Sequence, residues 1–283
     1  MSNSVTELFG RSTIDKGAAG WAKLVQKQAC PFLAKKCLKV RKSQPKISIG
    51  TCSVNYGRDA CPIIICPFRL LERRQVFTDA LHLLTLHEPG NELHVVPEVS
   101  IPGGSVDYFL VSARRSKPID FVGIELQTLD TTGTVWPARQ AFLDSIGVDA
   151  RIDRSTSQKT FGMNWKMTAK TILVQLHHKV ETFEHVSKRL VCAVQDCLLA
   201  YMRREFNFGH LNNARNGDSM QFHAYSLESA NRKYRIRLTE RCSTDAAGIS
   251  TALGLQAQAN VDLDVILAGL ERKMSDRTLW MPV

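Results

Sequence analysis

Three acids in one stretch have the types and spacing to hold a hard cation, Glu98, Asp107 and Glu125, and Gln127 stands beside them. They lie in HVVPEVSIPGGSVDYFLV (His94 to Val111) and PIDFVGIELQT (Pro118 to Thr128). Both segments are rich in β-branched and aromatic residues, and the polar loop Ser112 to Asp120 between them is what joins two hairpin strands. With the turn centred on Ser116, Asp107 falls nine residues before it and Glu125 nine after, directly opposed. Opposed carboxylates repel unless a cation lies between them, and oxygen donors select a hard one, magnesium. SIPGGS is a tight-turn signal that folds the preceding strand back and brings Glu98 level with Asp107. Gln127 shares a strand face with Glu125, while Val122, Ile124 and Leu126 point the other way into a core.

The elements that must hold this hairpin are read from periodicity. WAKLVQKQ (Trp21 to Gln28) reads as a short helix after twenty weakly structured residues. Leu70 to Leu86 reads as one helix whose acids Glu72 and Asp79 could approach the carboxylates. Asp130, Thr131 and Thr132 follow the second strand closely enough to meet a substrate. NWKMTAKTILVQLHHKVETF carries a buried stripe of Trp165, Ala169, Ile172, Leu173, Leu176, Val180 and Phe183. Its opposite side offers Lys166 and Lys170 to phosphates, and His177 and His178 read as structural. A second helix is expected over Glu184 to Glu205, with Cys192 and Cys197 as core thiols. SMQFHAYSL and RKYRIRLTER form a second hairpin that sets Tyr234, Ile236 and Leu238 on one face, and Lys233, Arg235 and Arg237 on the other as a basic ribbon for a DNA backbone. Two helices, near Thr244 to Gln258 and Val261 to Met274, and an apolar tail with Trp280 close the chain.

Charge is unevenly placed. Residues 1–75 hold 14 Lys and Arg against 4 Asp and Glu, whereas residues 76–283 hold 23 of each, so the whole net charge of +10 sits in the first quarter. That localisation favours a polyanion partner, nucleic acid being the simplest. The same quarter contains five of the eight cysteines, Cys30, Cys37, Cys52, Cys61 and Cys66. In a cytosolic chain such clustering points to metal rather than disulfides, and four thiolates on a tetrahedral ion would fix loops poor in apolar residues, leaving one cysteine spare. With no apolar signal core and no run near the ~18 apolar residues of a membrane span, the expected location is the cytoplasm. Two domains follow: a basic metal-binding module over 1–75 and a second domain over 76–283.

Taken together the residues resemble the NotI-type restriction endonucleases, of the PD-(D/E)XK nuclease superfamily with Gln in place of the usual Lys. The resemblance rests on ACPFLAKKC, IGTC and IICPFRLLERRQVF, on VPEVSIPGGSVDYFLV and FVGIELQTLDTTGTVWP, and on NWKMTAKTILVQLHHK, and it covers roughly residues 30–240. It implies an α/β fold: a restriction-endonuclease-like core with a mixed sheet flanked by helices, beside a small N-terminal four-cysteine module. It implies a homodimeric type II enzyme that hydrolyses both strands of a GC-rich palindromic site in double-stranded DNA with magnesium. Asp107 and Glu125 match the metal-binding acids, Gln127 the third motif position and Glu98 a further acid. The structural metal, iron or zinc, falls to Cys30, Cys37, Cys52 and Cys66, with Cys61 as the substitute for a neighbour. Two other functions share these features: a repair or anti-phage nuclease that recognises structure or modification, and a non-catalytic, metal-stabilised DNA-binding protein.

Overall fold

The computed structural model describes residues 3–57, 61–148, 161–255, 267, 268 and 270–274. Its first part is a small antiparallel sheet of β1 (Ser4–Leu8), β2 (Thr51–Tyr56) and β3 (Cys61–Ile64), in that order, with Arg11–Ser12 on the outer edge of β1. The N-terminus is therefore not weakly structured: Val5, Leu8 and Phe9 are buried, in one cluster with Trp21 of helix α1 (Ala18–Lys27). The strand's apolar residues supply a wall of that cluster, which local pattern alone does not reveal. Two short ladders follow α1 before β2, Ala29–Cys30 with Lys35–Lys36 and Val40–Arg41 with Gln44–Ser48.

Leu70 to Leu86 is not one helix. A 3-10 segment, Pro67–Arg74, runs into α2 (Gln75–Ala80) and then a short 3-10 turn, Leu81–Leu83. Arg73 and Arg74 break the run, with left-handed φ values of 51° and 57°. The apolar positions still reach a common core, because Leu70, Leu71, Val76, Phe77, Ala80 and Leu83 are all buried.

The main sheet has six long strands: β4 (Glu92–Ile101), β5 (Gly104–Arg114), β6 (Lys117–Leu126), β7 (Arg189–Gln195), β8 (Met220–Ala230) and β9 (Lys233–Thr244). They lie side by side in sequence order, with Asn212–Asn213 adding a two-residue edge beside β9. β7 is parallel to both β6 and β8, and the other pairings are antiparallel, so the protein is mixed α/β. β7 corrects the expected helix over Glu184 to Glu205, which holds the last two residues of the helix Trp165–His185, then a strand, and a new helix only from Asp196. A central parallel strand is buried on both faces, so LVCAV lacks alternation and resembles helix core in sequence.

Helices α3 (Trp136–Ser145), α4 (Trp165–His185), α5 (Asp196–Glu205) and α6 (Ala246–Leu253) complete the fold. α4, α5 and α6 share a core with Val106, Phe109, Cys192 and Phe222 on one face of the sheet. α2 and the 3-10 segment cover the other face, against Leu110, Val122, Ile124 and Val191. α6 starts at an Asp245 cap whose carboxylate accepts from Gly248 N–H at 2.7 Å. Residues 256–266, which hold the end of the expected Thr244–Gln258 helix and the start of the one over Val261–Met274, and the Trp280 tail lie outside the described residues. No helix among the described residues is long and apolar enough to cross a membrane.

Two glycines let α4 sit close to the hairpin. A Cβ on Gly123 would collide with the Phe183 ring and with Leu190, and one on Gly103, at φ 92°, would stand 2.5 Å from the His178 carbonyl oxygen. The small sheet is tied in by Gln195, which donates to Pro62 O and accepts from Ile64 N–H, each at 2.8 Å.

Candidate active site

The hairpin register sets Asp107 against Glu125. Tyr108 pairs with Ile124, Phe109 with Gly123 and Val111 with Phe121, and the same count carried one step further opposes the two acids. On the other side of β5, Val106 pairs with Val99 and Tyr108 with Pro97, so Glu98 lies at the level of Asp107. Glu98 interrupts that ladder with a left-handed φ of 52°, and its side chain is exposed. β5 thus places Asp107 between two acids.

Burial makes this arrangement costly. Glu125 is 2% exposed, and the loss of water pushes its carboxyl above the usual range, helped by the negative charge of Asp107. Asp107 is raised by the same burial and further by Glu98, while the Leu126 N–H and Lys179 pull it back. The Leu126 N–H donates to Asp107 Oδ2 at 2.8 Å. A cation offsets the repulsion in part: Lys179 Nζ stands 2.7 Å from Glu125 Oε1 with both side chains buried. Lys179 was not among the residues singled out from sequence. It lies three residues after Leu176 and four before Phe183, inside the stripe that packs on the sheet, and a lysine at such a position needs a buried anion.

Gln127 lies just past the end of β6, where its N–H donates to Ala193 O at 2.9 Å and its Nε2 makes a long 3.4 Å contact to Glu125 Oε2. It opens onto a cleft of about 480 Å³ whose wall includes Lys39, Thr128, Asp130, Thr168 and Gln175. Thr131 and Thr132 are held in a short ladder with Gly162–Met163.

The other residues of interest divide. Lys166 and Lys170 are exposed on α4, and Arg237 is 74% exposed on β9. Arg235 is instead drawn to Glu72, which also takes Arg69 Nη1 at 3.0 Å and the Ile236 N–H at 2.9 Å. Glu72 and Asp79 do not join the carboxylates: they belong to elements on the opposite face of the sheet, and Asp79 accepts from Tyr225 O–H at 3.0 Å. A second, basic concavity of about 810 Å³ lies between the N-terminal part and the tip of the β8–β9 hairpin, lined by Arg73, Arg74, Arg232 and Lys233 among others.

Cys30, Cys37, Cys52 and Cys66 are all buried, and Cys61 is exposed. The four buried thiols interact electrostatically: charge on Cys37 and Cys30 raises Cys66, and charge on Cys66 raises Cys52. Burial is the larger cause, taking Cys66 to about 11. Cys61 instead interacts with Cys197. Among the described residues no three of these sulfurs lie within 4.8 Å of one another, which is wider than a closed tetrahedral thiolate site. No family model matches the chain, and no curated protein matches it significantly.

Proposed function

We propose that the chain is a magnesium-dependent endonuclease with a PD-(D/E)XK core, cutting both strands of a GC-rich palindromic DNA site as a homodimer, in keeping with its resemblance to the NotI-type enzymes. The observation that carries this reading is the opposed pair of half-buried Asp107 and buried Glu125 with the Lys179 ammonium against Glu125. A protein that only bound DNA would gain nothing from two carboxylates aimed at phosphate.

The donor set suits magnesium, which keeps several waters and takes one or two carboxylates together with phosphate oxygens. Asp107 Oδ1 makes no hydrogen bond among the described residues, and Glu125 Oε2 takes a long contact from the Gln127 amide. When bound, the ion supplies polarisation of the scissile phosphate and a more acidic attacking water. The chain's own residues do the rest. Asp107 and Glu125 hold the ion's site, and Lys179 opposes the rise that burial gives the Glu125 carboxyl. Gln127 has no useful basicity, so its amide orients the water or a phosphate oxygen. Glu98, exposed beside Asp107, takes one proton of the water as its oxygen bonds to phosphorus, and the ester oxygen leaves with a proton taken from solvent water.

The basic N-terminal quarter, Lys166, Lys170 and Arg237 supply phosphate contacts, and Arg235 contributes less because Glu72 holds it. The concavity with Arg73, Arg74, Arg232 and Lys233 offers further basic side chains. Palindromic cutting needs two sites related by a two-fold axis, which makes the homodimer part of the proposal. Cys30, Cys37, Cys52 and Cys66 would hold a structural iron or zinc that draws the sulfurs together, in keeping with their shared burial.

Incubation of the full chain with a long GC-rich DNA, with magnesium or with chelator, tests the reading. Discrete magnesium-dependent fragments support it. A smear supports a nuclease without site choice, and intact DNA with a clear gel shift removes catalysis.

A further inference from the structure

Immediately before Lys179, α4 carries a second group of ligating side chains. His177, His178 and Glu181 each bring one ligand atom within 4.8 Å of the other two. Glu181 is four residues from His177 and three from His178, the separations that make helix side chains neighbours, so one carboxylate meets both imidazoles. The rings meet edge to face with centroids 5.6 Å apart. His177 Nε2 is 3.9 Å from Glu181 Oε1, too far for a hydrogen bond. Among the described residues none of the three side chains has a hydrogen bond, although the His177 side chain is only 19% exposed. A partly covered imidazole beside a second imidazole and a carboxylate has the composition of a metal site.

We propose that His177, His178 and Glu181 bind a divalent transition-metal ion, zinc before others, at a site separate from the Asp107–Glu125 pair. Two imidazole nitrogens and one carboxylate suit zinc, cobalt, nickel or copper, and magnesium prefers oxygen alone. Zinc is held at about 2.0–2.2 Å by such donors, so the three ligand atoms need only small side-chain rotations to close on one ion. The backbone beneath them is already fixed: the His178 carbonyl packs against the turn at Gly103, and Thr182 Oγ1 donates to Pro102 O at 2.6 Å. Little ordering entropy opposes binding. His178 and Glu181 are exposed, which gives the ion a path from solvent, and three protein ligands leave room for water. An ion here stiffens the turn of α4 that presents Lys179 to Glu125. This inference does not depend on the nuclease reading, because it rests on a different set of side chains.

The test uses the full chain labelled with nitrogen-15 at histidine, stripped with chelator, kept in excess magnesium and titrated with zinc. Variants His177→Gln and His178→Gln assign the two rings. The expected result is that both rings shift together and saturate with a single binding curve, while Glu181→Gln weakens that binding at least about tenfold. The histidine readout is blind to zinc taken up by cysteines, so the two sites are told apart. Unchanged His177 and His178 signals at millimolar zinc would overturn the proposal, as would equal shifts over all eight histidines or wild-type affinity in Glu181→Gln.

Discussion

Lys179 reaches from α4 to Glu125 on β6, Nζ to Oε1 at 2.7 Å, and both side chains are buried. The pair joins the helix layer to the hairpin at the point where Asp107 and Glu125 oppose each other. Removing one partner of a buried ion pair leaves the other charge without compensation. Lys179→Met is expected to cost about 3 kcal/mol in denaturant unfolding at neutral pH, in line with other broken buried pairs. Unfolding indistinguishable from wild type would mean that the ammonium is not held there.

Asp107 and Glu125 give the metal-free protein a particular pH dependence. Their carboxyls are raised in the folded state, so across the interval between the ordinary and the raised value the native chain binds more protons than the unfolded one. Their contribution to stability is fully present below the ordinary carboxylate range and is lost as pH rises through the raised value. Glu72 and Asp15 are lowered and act in the opposite sense, so the difference between two proteins is the useful quantity. Asp107→Asn should lose less stability than wild type as pH rises through this interval, in thermal unfolding with chelator present. A parallel pH profile in the two would contradict the burial argument.

Lys166 and Lys170 predict a salt effect. Both are exposed on α4, and each is proposed to neutralise one phosphate. Replacing either with Ala should reduce the slope of log affinity against log salt by about one and weaken binding similarly on different sequences. Fluorescence anisotropy over a salt series measures both. An unchanged slope would move the DNA off this face.

The cysteine module predicts metal in the purified protein. Elemental analysis should find about one iron or zinc per chain at the four-thiolate site, reduced by Cys66→Ser and unaffected by Cys61→Ser, because Cys66 is buried with the others and Cys61 is exposed. Folded, metal-free protein would refute the module.

Much of the hairpin was legible in the sequence because side-chain alternation and a turn centre together determine register. Counting from Ser116 opposes the same residues that pair in the structure, Tyr108 with Ile124 and Ser112 with Asp120. β7 was not legible, since a strand covered on both faces has no alternation to read. The break at Arg73 and Arg74 was hidden for another reason: left-handed backbone is expected of glycine, not of consecutive arginines. Lys179 was overlooked although the signal was present, a lysine on a helix stripe otherwise made of Leu176, Val180 and Phe183. Its partner comes from a strand 54 residues earlier, a pairing that no local pattern contains.

The most direct test of the nuclease reading is cleavage of a long GC-rich DNA by the wild type and Glu125→Ala side by side, each with magnesium and with chelator. The account predicts discrete fragments from the wild type with magnesium alone and none from the variant, while the variant still shifts the DNA in a gel. Cutting by Glu125→Ala near the wild-type rate, or no cutting by the wild type across a range of salt and metal, would contradict it.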